Sequence, residues 1–399
     1  MRGERPAAPR LGFWAYVAGL LALALLGVTV LRFTRGLGAT TNLSDRFPWG
    51  LWIGFDVLCG VGLAAGAFTL TSVVHLFNLR RFEPIVRPTV LTAFLGYAFV
   101  IVALMFDLGQ PWRIWHALVF WNPHSVMFEV AWCVMLYTTV LTLELLPVVF
   151  ERFRLARAQR VVRAVYTPLV IVGVILSTLH QSSLGSLYLI VPSKLHPLWY
   201  SPLLPLLFYV SAIGAGLGMV ILESYLSGRS FGRRLELEIL EPLGRAMVVV
   251  LGLYGVLRLV ALRRSGGLAE LRTPGYESAM FLLEVSLGVL LPVALLSVPR
   301  VRRSERGLVA AAFLAVLGFV TSRLNVAVTG MERSAGVRYL PSWMELTVSL
   351  GLVAVGFAVF AVAARLLPIF PEAAREKSFG PAELEGAAPA RALGESVPA

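Results

Sequence analysis

Cysteine and charged residues are scarce in this chain of 399 residues. Its two cysteines, Cys59 and Cys133, both lie inside apolar runs. They exclude a disulfide framework, a zinc ribbon and an iron–sulfur cluster held by this chain, because such a cluster needs about four thiolates. Only 15% of the residues are charged and 57% are hydrophobic. A soluble domain is about half apolar and a quarter charged, so the composition excludes a water-soluble globular protein, and its apolar content also excludes a disordered protein.

Histidine is scarce as well, with five in the sequence. A transmembrane haem needs two facing histidines from neighbouring helices. Only one histidine, His180, lies well inside an outer-half apolar segment; the others lie in outer loops, at their edges or near the cytoplasm, at His116, His124, His196 and His75. We therefore expect no haem. The loops contain no GxGxxG, Walker or HExxH motif, so nucleotide and zinc chemistry are not supported.

Long apolar runs fill most of the sequence. A bilayer core of about 30 Å takes about 20 apolar residues per helix. Ten segments meet this requirement, at residues 11–33, 49–76, 86–108, 124–146, 164–187, 203–226, 241–262, 278–298, 307–327 and 343–368. The connecting stretches are short, so no soluble domain fits between them. The sequence therefore predicts an all-α integral membrane protein with about ten transmembrane helices.

The net charge of +12 would suggest a nucleic-acid partner in a soluble protein. Here the arginines lie in short loops between apolar segments, where they act as topology signals. With both termini in the cytoplasm, the cytoplasmic segments hold 23 Lys and Arg residues and the outer loops hold 10. We therefore predict cytoplasmic termini and no nucleic-acid partner. The predicted parts are a basic tail at 1–10, a transmembrane domain at 11–368 and a disordered tail at 369–399.

Charged residues inside a bilayer cost about 2.5–3.5 kcal/mol each on insertion scales, so each needs a reason. Eight ionisable residues from eight segments fall in one layer near the outer surface: Asp56, Asp107, Glu129, His180, Arg258, Glu284, Arg323 and Glu345. The two arginines can form structural ion pairs with the last two glutamates. The other four have no intramembrane arginine in their half of the sequence, which is typical of a proton-handling or ligand site.

Aromatic and polar residues gather at the same face. They are Trp49, Trp52, Trp112, Trp115, Trp121, Trp199 and Tyr200, with Arg113, Asn122, His116, His124 and His196. Each aromatic residue alone is explained by the interfacial belt of a membrane protein. Together they predict a cavity mouth that suits a quinone, because its ring needs apolar walls and its carbonyls need donors that also pass protons.

The fourth segment carries carboxylates near both of its ends. Glu129 and Glu144 are 15 residues apart, about 22 Å along a helix, and face similar directions. They can mark the two ends of a proton route. Alternatively, Glu144 is an ordinary residue whose charge reaches the inner interface.

A faint internal repeat links two segments that run from the outer to the inner side. Ser125-Val-Met-Phe-Glu129-Val is similar to Ser278-Ala-Met-Phe-Leu-Leu-Glu284-Val, with a two-residue offset. Chance similarity between apolar segments is the alternative. The repeat favours two related four-helix bundles, at about 49–187 and about 203–327, plus two extra helices.

Four stretches of the sequence form long and specific motifs: Phe47-Pro-Trp-Gly-Leu-Trp-Ile-Gly-Phe-Asp56, Val86-Arg-Pro-Thr-Val-Leu-Thr-Ala-Phe-Leu-Gly-Tyr97, Asn122-Pro-His-Ser-Val-Met-Phe-Glu129 and His180-Gln-Ser-Ser-Leu-Gly-Ser186. These motifs resemble the NrfD/polysulfide-reductase family of membrane subunits. Three further features resemble the members of this family that are HybB-type subunits of periplasmic nickel–iron hydrogenases. These features are the number of apolar segments, which is ten, and the motifs Lys194-Leu-His-Pro-Leu-Trp199 and Tyr339-Leu-Pro-Ser-Trp-Met-Glu345. The similarity extends from about residue 45 to 370.

The resemblance implies a multi-pass subunit of the bacterial cytoplasmic membrane, without haem or an iron–sulfur cluster of its own. Such subunits exchange electrons with a ferredoxin-like iron–sulfur protein on the periplasmic side, which connects to a catalytic subunit, here a nickel–iron hydrogenase. They reduce or oxidise menaquinone or ubiquinone with coupled proton transfer. Hydrogenase-type members are called cytochrome b subunits, but the histidine positions argue against haem in this protein. The alternatives are a molybdopterin oxidoreductase complex of the polysulfide type, a non-catalytic membrane anchor and a transporter without redox partners.

The resemblance also implies roles for individual residues. Glu129 matches the intramembrane acid that is thought to conduct protons, and Asp56 and His180 match positions at the quinone pocket. We expect these three to carry the chemistry. The residues expected to contact quinone are Trp49, Asp56, Asp107, Trp112, Arg113, His180 and Ser183, and we expect no metal site.

Overall fold

The computed structural model describes residues 13–232 and 237–370. Its ten membrane-spanning helices are α1 Tyr16–Arg35, α2 Trp52–Leu76, α3 Arg80–Asp107, α4 Val126–Arg152, α5 Tyr166–Ile190, α6 Leu204–Ser230, α7 Leu237–Arg264, α8 Tyr276–Ser297, α9 Glu305–Ala335 and α10 Trp343–Leu366. No β-strand forms within these ranges. The predicted fold class is confirmed: this is an all-α integral membrane protein.

Local sequence signals explain where several helices begin. Ser125, Ser304 and Ser342 precede α4, α9 and α10, and each hydroxyl accepts a hydrogen bond from a backbone N–H of the first turn. Such caps satisfy donors that have no partner inside the helix. Ser342 and Glu345 form a complete capping box.

The helices form two four-helix bundles with two flanking helices. The first bundle contains α2, α3, α4 and α5, and the second contains α6, α7, α8 and α9; α1 packs against α10, which in turn packs against α3. The bundles meet where α2 crosses α6. Here a Cβ atom on Gly66 would lie 1.8 Å from the carbonyl oxygen of Ala212, so the close approach of the backbones requires glycine.

The ten spans alternate in direction, so their connections form two ends of the molecule. The aromatic end contains the loops before α2, α4, α6, α8 and α10, and the arginine-rich end contains those before α3, α5, α7 and α9. Contacts join loops of the same end, for example the side chain of Asn42 with the carbonyl of Leu340 and that of Ser265 with the carbonyl of Pro197. Which end faces the cytoplasm stays a prediction from the arginine distribution.

The two predicted tails fall mostly outside the described residues, which exclude 1–12 and 371–399. The segment after α10 begins inside them and packs against the first bundle. Ile369 is fully buried beside Val90, Leu91, Leu145 and Val148.

Three helices contain a π-helical turn. These turns are Trp52–Val57 in α2, Ser286–Leu290 in α8 and Asn325–Thr329 in α9. Such turns insert one extra residue per turn and often occur at functional sites. The turns in α2 and α9 lie in the half of the helix nearer the aromatic end, and the turn in α8 begins two residues after Glu284. The three turns therefore indicate a functional region near the aromatic end.

Candidate functional site

The eight ionisable side chains of the layer near the aromatic end divide into three groups with different partners. The inner cluster lies inside the first bundle and consists of Tyr97, Glu129, His180 and Ser183. The flank cluster lies where α2 and α3 meet α1 and α10, and consists of Arg32, Asp56, Asp107, Glu345 and Ser349. The second-bundle cluster consists of Trp199, Arg258, Glu284, Arg323 and Asn325.

The inner cluster joins a carboxylate, an imidazole and two hydroxyls. The Ser183 hydroxyl on α5 donates a 2.6 Å hydrogen bond to Oε1 of Glu129 on α4. One turn away on α5, Nδ1 of His180 lies 2.8 Å from the hydroxyl of Tyr97 on α3. Glu129 is in the first turn of α4, whereas Tyr97 lies near the middle of α3. The cluster therefore extends from the aromatic end towards the centre of the bundle.

Glu129 is not neutralised by a cation among the described residues. None of the ion pairs that these residues form includes it. Its only hydrogen bond to a described side chain comes from Ser183, a neutral donor. A partly buried carboxyl group with a neutral partner can gain and lose a proton without breaking an ion pair, which is what a proton-exchanging group requires.

Further buried polar atoms lie along the first bundle. Nε2 of His180, both amide atoms of Gln181, the Tyr137 hydroxyl and Oε1 of Glu144 have no hydrogen-bond partner among the described residues. The ring of Tyr137 packs edge-on against that of Tyr97, with centroids 4.6 Å apart. An unsatisfied buried polar group costs about 1–3 kcal/mol, and ordered water normally satisfies such groups. These groups lie at several depths of the first bundle, between the inner cluster and Glu144.

A cavity of about 1190 Å³ lies at the arginine-rich end. Glu144 lines this cavity, together with His75 and Tyr166, whose rings are in edge-on contact with centroids 4.7 Å apart. Other parts of the wall carry charge, including the ion pair of Arg87 with Glu151 at 3.0 Å. Glu144 is thus a buried carboxyl group at the wall of a polar cavity rather than a residue whose charge extends into the lipid interface.

The flank cluster places Asp56 against α10. The Ser349 hydroxyl donates a 2.6 Å hydrogen bond to Oδ2 of Asp56. No hydrogen bond joins Asp56 to Glu129 or His180 in the described part of the protein. Asp56 lies in the π-helical turn of α2. The structure therefore does not bring the three residues expected to carry the chemistry into one hydrogen-bonded group.

Arg32 is a buried cation beside this cluster that was not predicted from the sequence, because it lies at the end of the first apolar segment. Its Nε and Nη2 donate to the carbonyl oxygens of Phe106 and Leu108, at 2.6 Å and 2.5 Å. It also interacts electrostatically with Asp107 on α3. The first half of the sequence thus does contain an intramembrane arginine, and Asp107 has a cationic neighbour.

Glu345 holds two loops of the aromatic end together. Its carboxylate accepts hydrogen bonds from the backbone N–H groups of Asn42 and Ser342 and from the hydroxyl of Tyr339. Burial, and then the hydrogen bond to Glu345, raise the pKa of Tyr339 above its ordinary value. The expected pairing of Glu345 with an arginine is wrong, because neutral donors occupy its carboxylate.

The second-bundle cluster contains the other expected ion pair. Nη2 of Arg258 lies 3.0 Å from Oε1 of Glu284, and both side chains are buried. The indole of Trp199 and the amide of Asn325 donate to Oε2 of the same glutamate, at 2.8 Å and 3.0 Å. The predicted pairing of Arg258 with Glu284 is confirmed. Unlike Glu129, Glu284 is neutralised.

Arg323 does not pair with a glutamate as expected. Its Nη2 donates to the carbonyl oxygen of Phe208 and the hydroxyl of Ser211, both at 2.9 Å. The guanidinium lies 3.7 Å from the ring centroid of Phe208 and 4.4 Å from that of Phe319. Carbonyl dipoles and aromatic faces therefore contact this buried cation directly, whereas Glu284 acts on it only electrostatically, without an ion pair among the described residues.

The tryptophans of the aromatic end occupy two different environments. Trp52 in α2 and Trp199 in the loop before α6 are buried, and Trp49 is half-buried against Tyr188. The segment after α3 is different: Trp112 is 65% exposed, and neighbouring aromatic residues on the same segment are exposed as well, at Trp115, Phe120 and Trp121. Arg113 is exposed beside them. Trp112 and Arg113 thus lie on the surface of the aromatic end, and their expected contact with quinone stays a prediction.

Comparison with known proteins assigns the family. The profile of the family described as "Polysulphide reductase, NrfD" matches residues 39–335. This chain belongs to the NrfD family. The match includes α2 to α9, and therefore both bundles with the inner and second-bundle clusters.

Named relatives of this NrfD-family protein belong to redox complexes. A protein of Escherichia coli named "Probable Ni/Fe-hydrogenase 2 b-type cytochrome subunit" is 34% identical over 360 residues, 89% of this chain and 92% of the relative. The "Menaquinone reductase, integral membrane subunit" of Nitratidesulfovibrio vulgaris is 31% identical, covering 85% and 87%. A component of the polysulfide reductase of Wolinella succinogenes is 26% identical, covering 67% and 90%. The family resemblance inferred from the motifs is confirmed.

The cytochrome name of the Escherichia coli relative raises the question of haem in this NrfD-family protein. All five histidines lie in the described ranges. His180 is fully buried inside a span and its Nδ1 bonds to Tyr97. Three others lie near helix ends and are exposed or half-buried, at His75, His116 and His124. His196 is buried in a loop, where its Nε2 lies 3.1 Å from Arg333. Among the described residues, only His180 lies deep inside a span, and no second histidine lies inside a span at its depth. The absence of haem stays a prediction.

Metal binding has no other support in the described residues, which contain no group of three His, Cys, Asp or Glu side chains placed to hold an ion. Both cysteines are buried and unpaired. Four contributors to the clusters were missed by sequence reasoning as individual residues: Tyr97, Arg32, Ser349 and Asn325. Tyr97 ends one of the quoted motifs, and a tyrosine in mid-span is a usable signal. Ser349 could not be singled out, because a serine in an apolar helix does not by itself indicate a functional role.

Proposed function

We propose that this protein is the quinone-reactive, haem-free membrane subunit of a redox complex in the bacterial cytoplasmic membrane. It passes electrons between an iron–sulfur subunit on the periplasmic side and menaquinone or ubiquinone in the membrane. Family membership and the menaquinone reductase relative support this role. The observation that carries it is the inner cluster, where Glu129 has a neutral partner whereas Glu284 of the second bundle is held by Arg258.

Quinone reduction takes up two electrons and two protons, and the protein supplies the protons. Glu129 holds one on its carboxyl group, with Ser183 orienting Oε1. The hydrogen bond of His180 with Tyr97 connects this region to the middle of the bundle. Asp56, which accepts a hydrogen bond from Ser349, is the second acid of the same layer.

Protons for the reaction come from the cytoplasm, and turnover is electrogenic. The support is the series of buried polar atoms at His180, Tyr137 and Glu144. Glu144 lines the cavity at the arginine-rich end, which the positive-inside distribution assigns to the cytoplasm. Electrons then arrive from one side of the membrane and protons from the other.

The partner complex is a nickel–iron hydrogenase joined through a ferredoxin-like iron–sulfur protein. The 34% identity to the Escherichia coli relative over 89% of this chain favours it. A molybdopterin oxidoreductase of the polysulfide type is the second candidate, favoured by the Wolinella succinogenes relative. Isolation of the complex from its own membranes, followed by metal, haem and quinone analysis, separates the two. We expect nickel and iron–sulfur clusters in the complex and no haem attached to this subunit.

The central test is Glu129→Gln in the complete complex. The expected result is normal assembly with quinone-linked turnover reduced about 100-fold or more, because a general acid contributes that much. The matched control is Glu277→Gln, in the first turn of α8 at the same end, which should retain full turnover. Wild-type turnover in Glu129→Gln would remove this residue from the mechanism.

Two outcomes would contradict the proposed class of protein. A simple membrane anchor would keep its quinone reduction when Asp56, Glu129 and His180 are replaced together. A transporter would be isolated without an iron–sulfur subunit.

The membrane orientation is tested with single cysteines introduced into the loops and labelled from each side. Positions in the loop before α5 should react only from the cytoplasm, and positions in the segment after α3 only from the periplasm.

A further inference from the structure

Helix α10 lies outside both four-helix bundles, yet it is joined to α2 at two successive turns. The indole N–H of Trp52 donates a 3.2 Å hydrogen bond to the backbone oxygen of Glu345. One turn further along both helices, Ser349 donates a 2.6 Å bond to Oδ2 of Asp56. All four residues are buried. Two bonds with the same spacing fix the rotation of α10 relative to α2.

The outer end of α10 is itself fixed by the aromatic end. The carboxylate of Glu345 accepts the N–H groups of Asn42 and Ser342, and the Tyr339 hydroxyl in turn accepts the N–H of Leu51 at 2.9 Å. Leu51 immediately precedes the π-helical turn that carries Asp56. The position of Ser349 is thus determined by a network that also holds the start of α2.

Asp56 has one hydrogen bond to a described side chain, and Ser349 supplies it. The neighbouring carboxylate, Asp107 on α3, acts on Asp56 as a like charge, so it does not orient it. Without a donor, a carboxyl group rotates among its conformers and loses a defined direction. A short bond to one oxygen holds the group and leaves the other oxygen, Oδ1, for exchange with a substrate.

We propose that Ser349 is a positioning residue for Asp56, and that α10 is therefore part of the quinone site. This inference rests on the proposed function, in which Asp56 acts on quinone. Ser349 does not itself contact the substrate. It acts only through the orientation of the Asp56 carboxyl group.

The experiment uses the isolated complex, with a soluble quinone analogue as acceptor and reduced viologen as donor. Ser349→Ala should lower kcat about tenfold, the usual effect of losing one hydrogen bond to a charged group, with little change in KM. Ser349→Thr keeps the hydroxyl and should restore most of the activity. The matched control is Thr347→Val on the same helix, whose hydroxyl bonds only to the backbone oxygen of Trp343, and which should behave as wild type.

A double substitution distinguishes positioning from a general effect on folding. In an Asp56→Asn background, Ser349→Ala should cause no further loss, because the group that it orients has already been removed. Independent, multiplied losses would overturn the proposal, as would full activity in Ser349→Ala alone. Full activity in Asp56→Asn would contradict the role of Asp56 in the proposed function instead. The two failures are therefore distinguishable.

Discussion

The hydroxyl of Tyr97 and Nδ1 of His180 share a 2.8 Å hydrogen bond near the middle of the first bundle. Both side chains are fully buried, and they come from helices, α3 and α5, that are not adjacent in sequence. The bond fixes which imidazole nitrogen faces Tyr97 and leaves Nε2 without a described partner. An imidazole held at one nitrogen and open at the other is suited to passing a proton.

Tyr97→Phe removes only the hydroxyl of this pair. Turnover with quinone should fall about tenfold, because His180 loses its orienting partner, while the complex assembles normally. Quinone-reductase activity and size-exclusion behaviour measure the two effects. The control is Tyr225→Phe, whose hydroxyl bonds to the exposed side chain of Arg229. Equal activity of Tyr97→Phe and wild type would exclude the hydroxyl from the route.

Glu144→Gln tests the cavity at the arginine-rich end as the entrance for protons. In proteoliposomes, proton uptake from the arginine-rich side should fall about tenfold or more, because glutamine cannot carry a proton. Glu144→Asp should retain part of the uptake. Glu83→Gln alters a different wall residue of the same cavity and should have little effect. Unchanged uptake in Glu144→Gln, measured with a pH-sensitive dye, would show that the cavity is not on the route.

Arg258→Ala leaves Glu284 as an uncompensated buried charge. Breaking a buried pair in this way costs about 3–5 kcal/mol, so the midpoint of thermal unfolding should fall clearly. The comparison is Arg245→Ala, which breaks an ion pair of an arginine side chain that is 59% exposed and should cost less than about 1 kcal/mol. Similar midpoints for the two variants would contradict the prediction that Glu284 depends on Arg258 for the neutralisation of a buried charge.

His196 should make one loop of the aromatic end sensitive to acid. Burial is the main cause that lowers the pKa of His196, and Glu270 and Glu277 oppose it. The backbone N–H of Leu198 and the guanidinium of Arg333 both point donors at the ring, which disfavours its protonation. His196 therefore binds a proton more readily when this loop is locally unfolded than when it is folded. The folded loop loses stability as the pH falls below the ordinary histidine pKa of about 6.5.

Hydrogen exchange, corrected for its intrinsic pH dependence, measures this effect. Exchange of the Leu198 amide should accelerate between about pH 7.5 and about pH 5. The same amide in His196→Gln should show no such step, because glutamine does not titrate. A step of equal size in that variant would assign the effect to another group.

Several features of this protein could be predicted because they depend on local sequence. Ten long apolar segments predict ten spans, since the bilayer thickness sets a minimum helix length. Ionisable residues such as Glu129 and Glu284 stand out in apolar runs, because a charge inside the bilayer is costly. Their partners could not be predicted in this way. Of the two expected arginine–glutamate pairs, only Arg258 with Glu284 formed, because pairing depends on helix rotation.

The amino-acid sequence by itself thus determined the class of protein, the number of spans and the depth at which charged residues lie, because the free energy of transfer into lipid acts on each residue separately. Only the tertiary structure decided which of these residues meet. It placed Asp56 against Ser349 of α10, His180 against Tyr97, and Arg32 beside Asp107. The physical reason is that helix rotation and crossing are set by packing across many residues distant in sequence, including the close approach at Gly66.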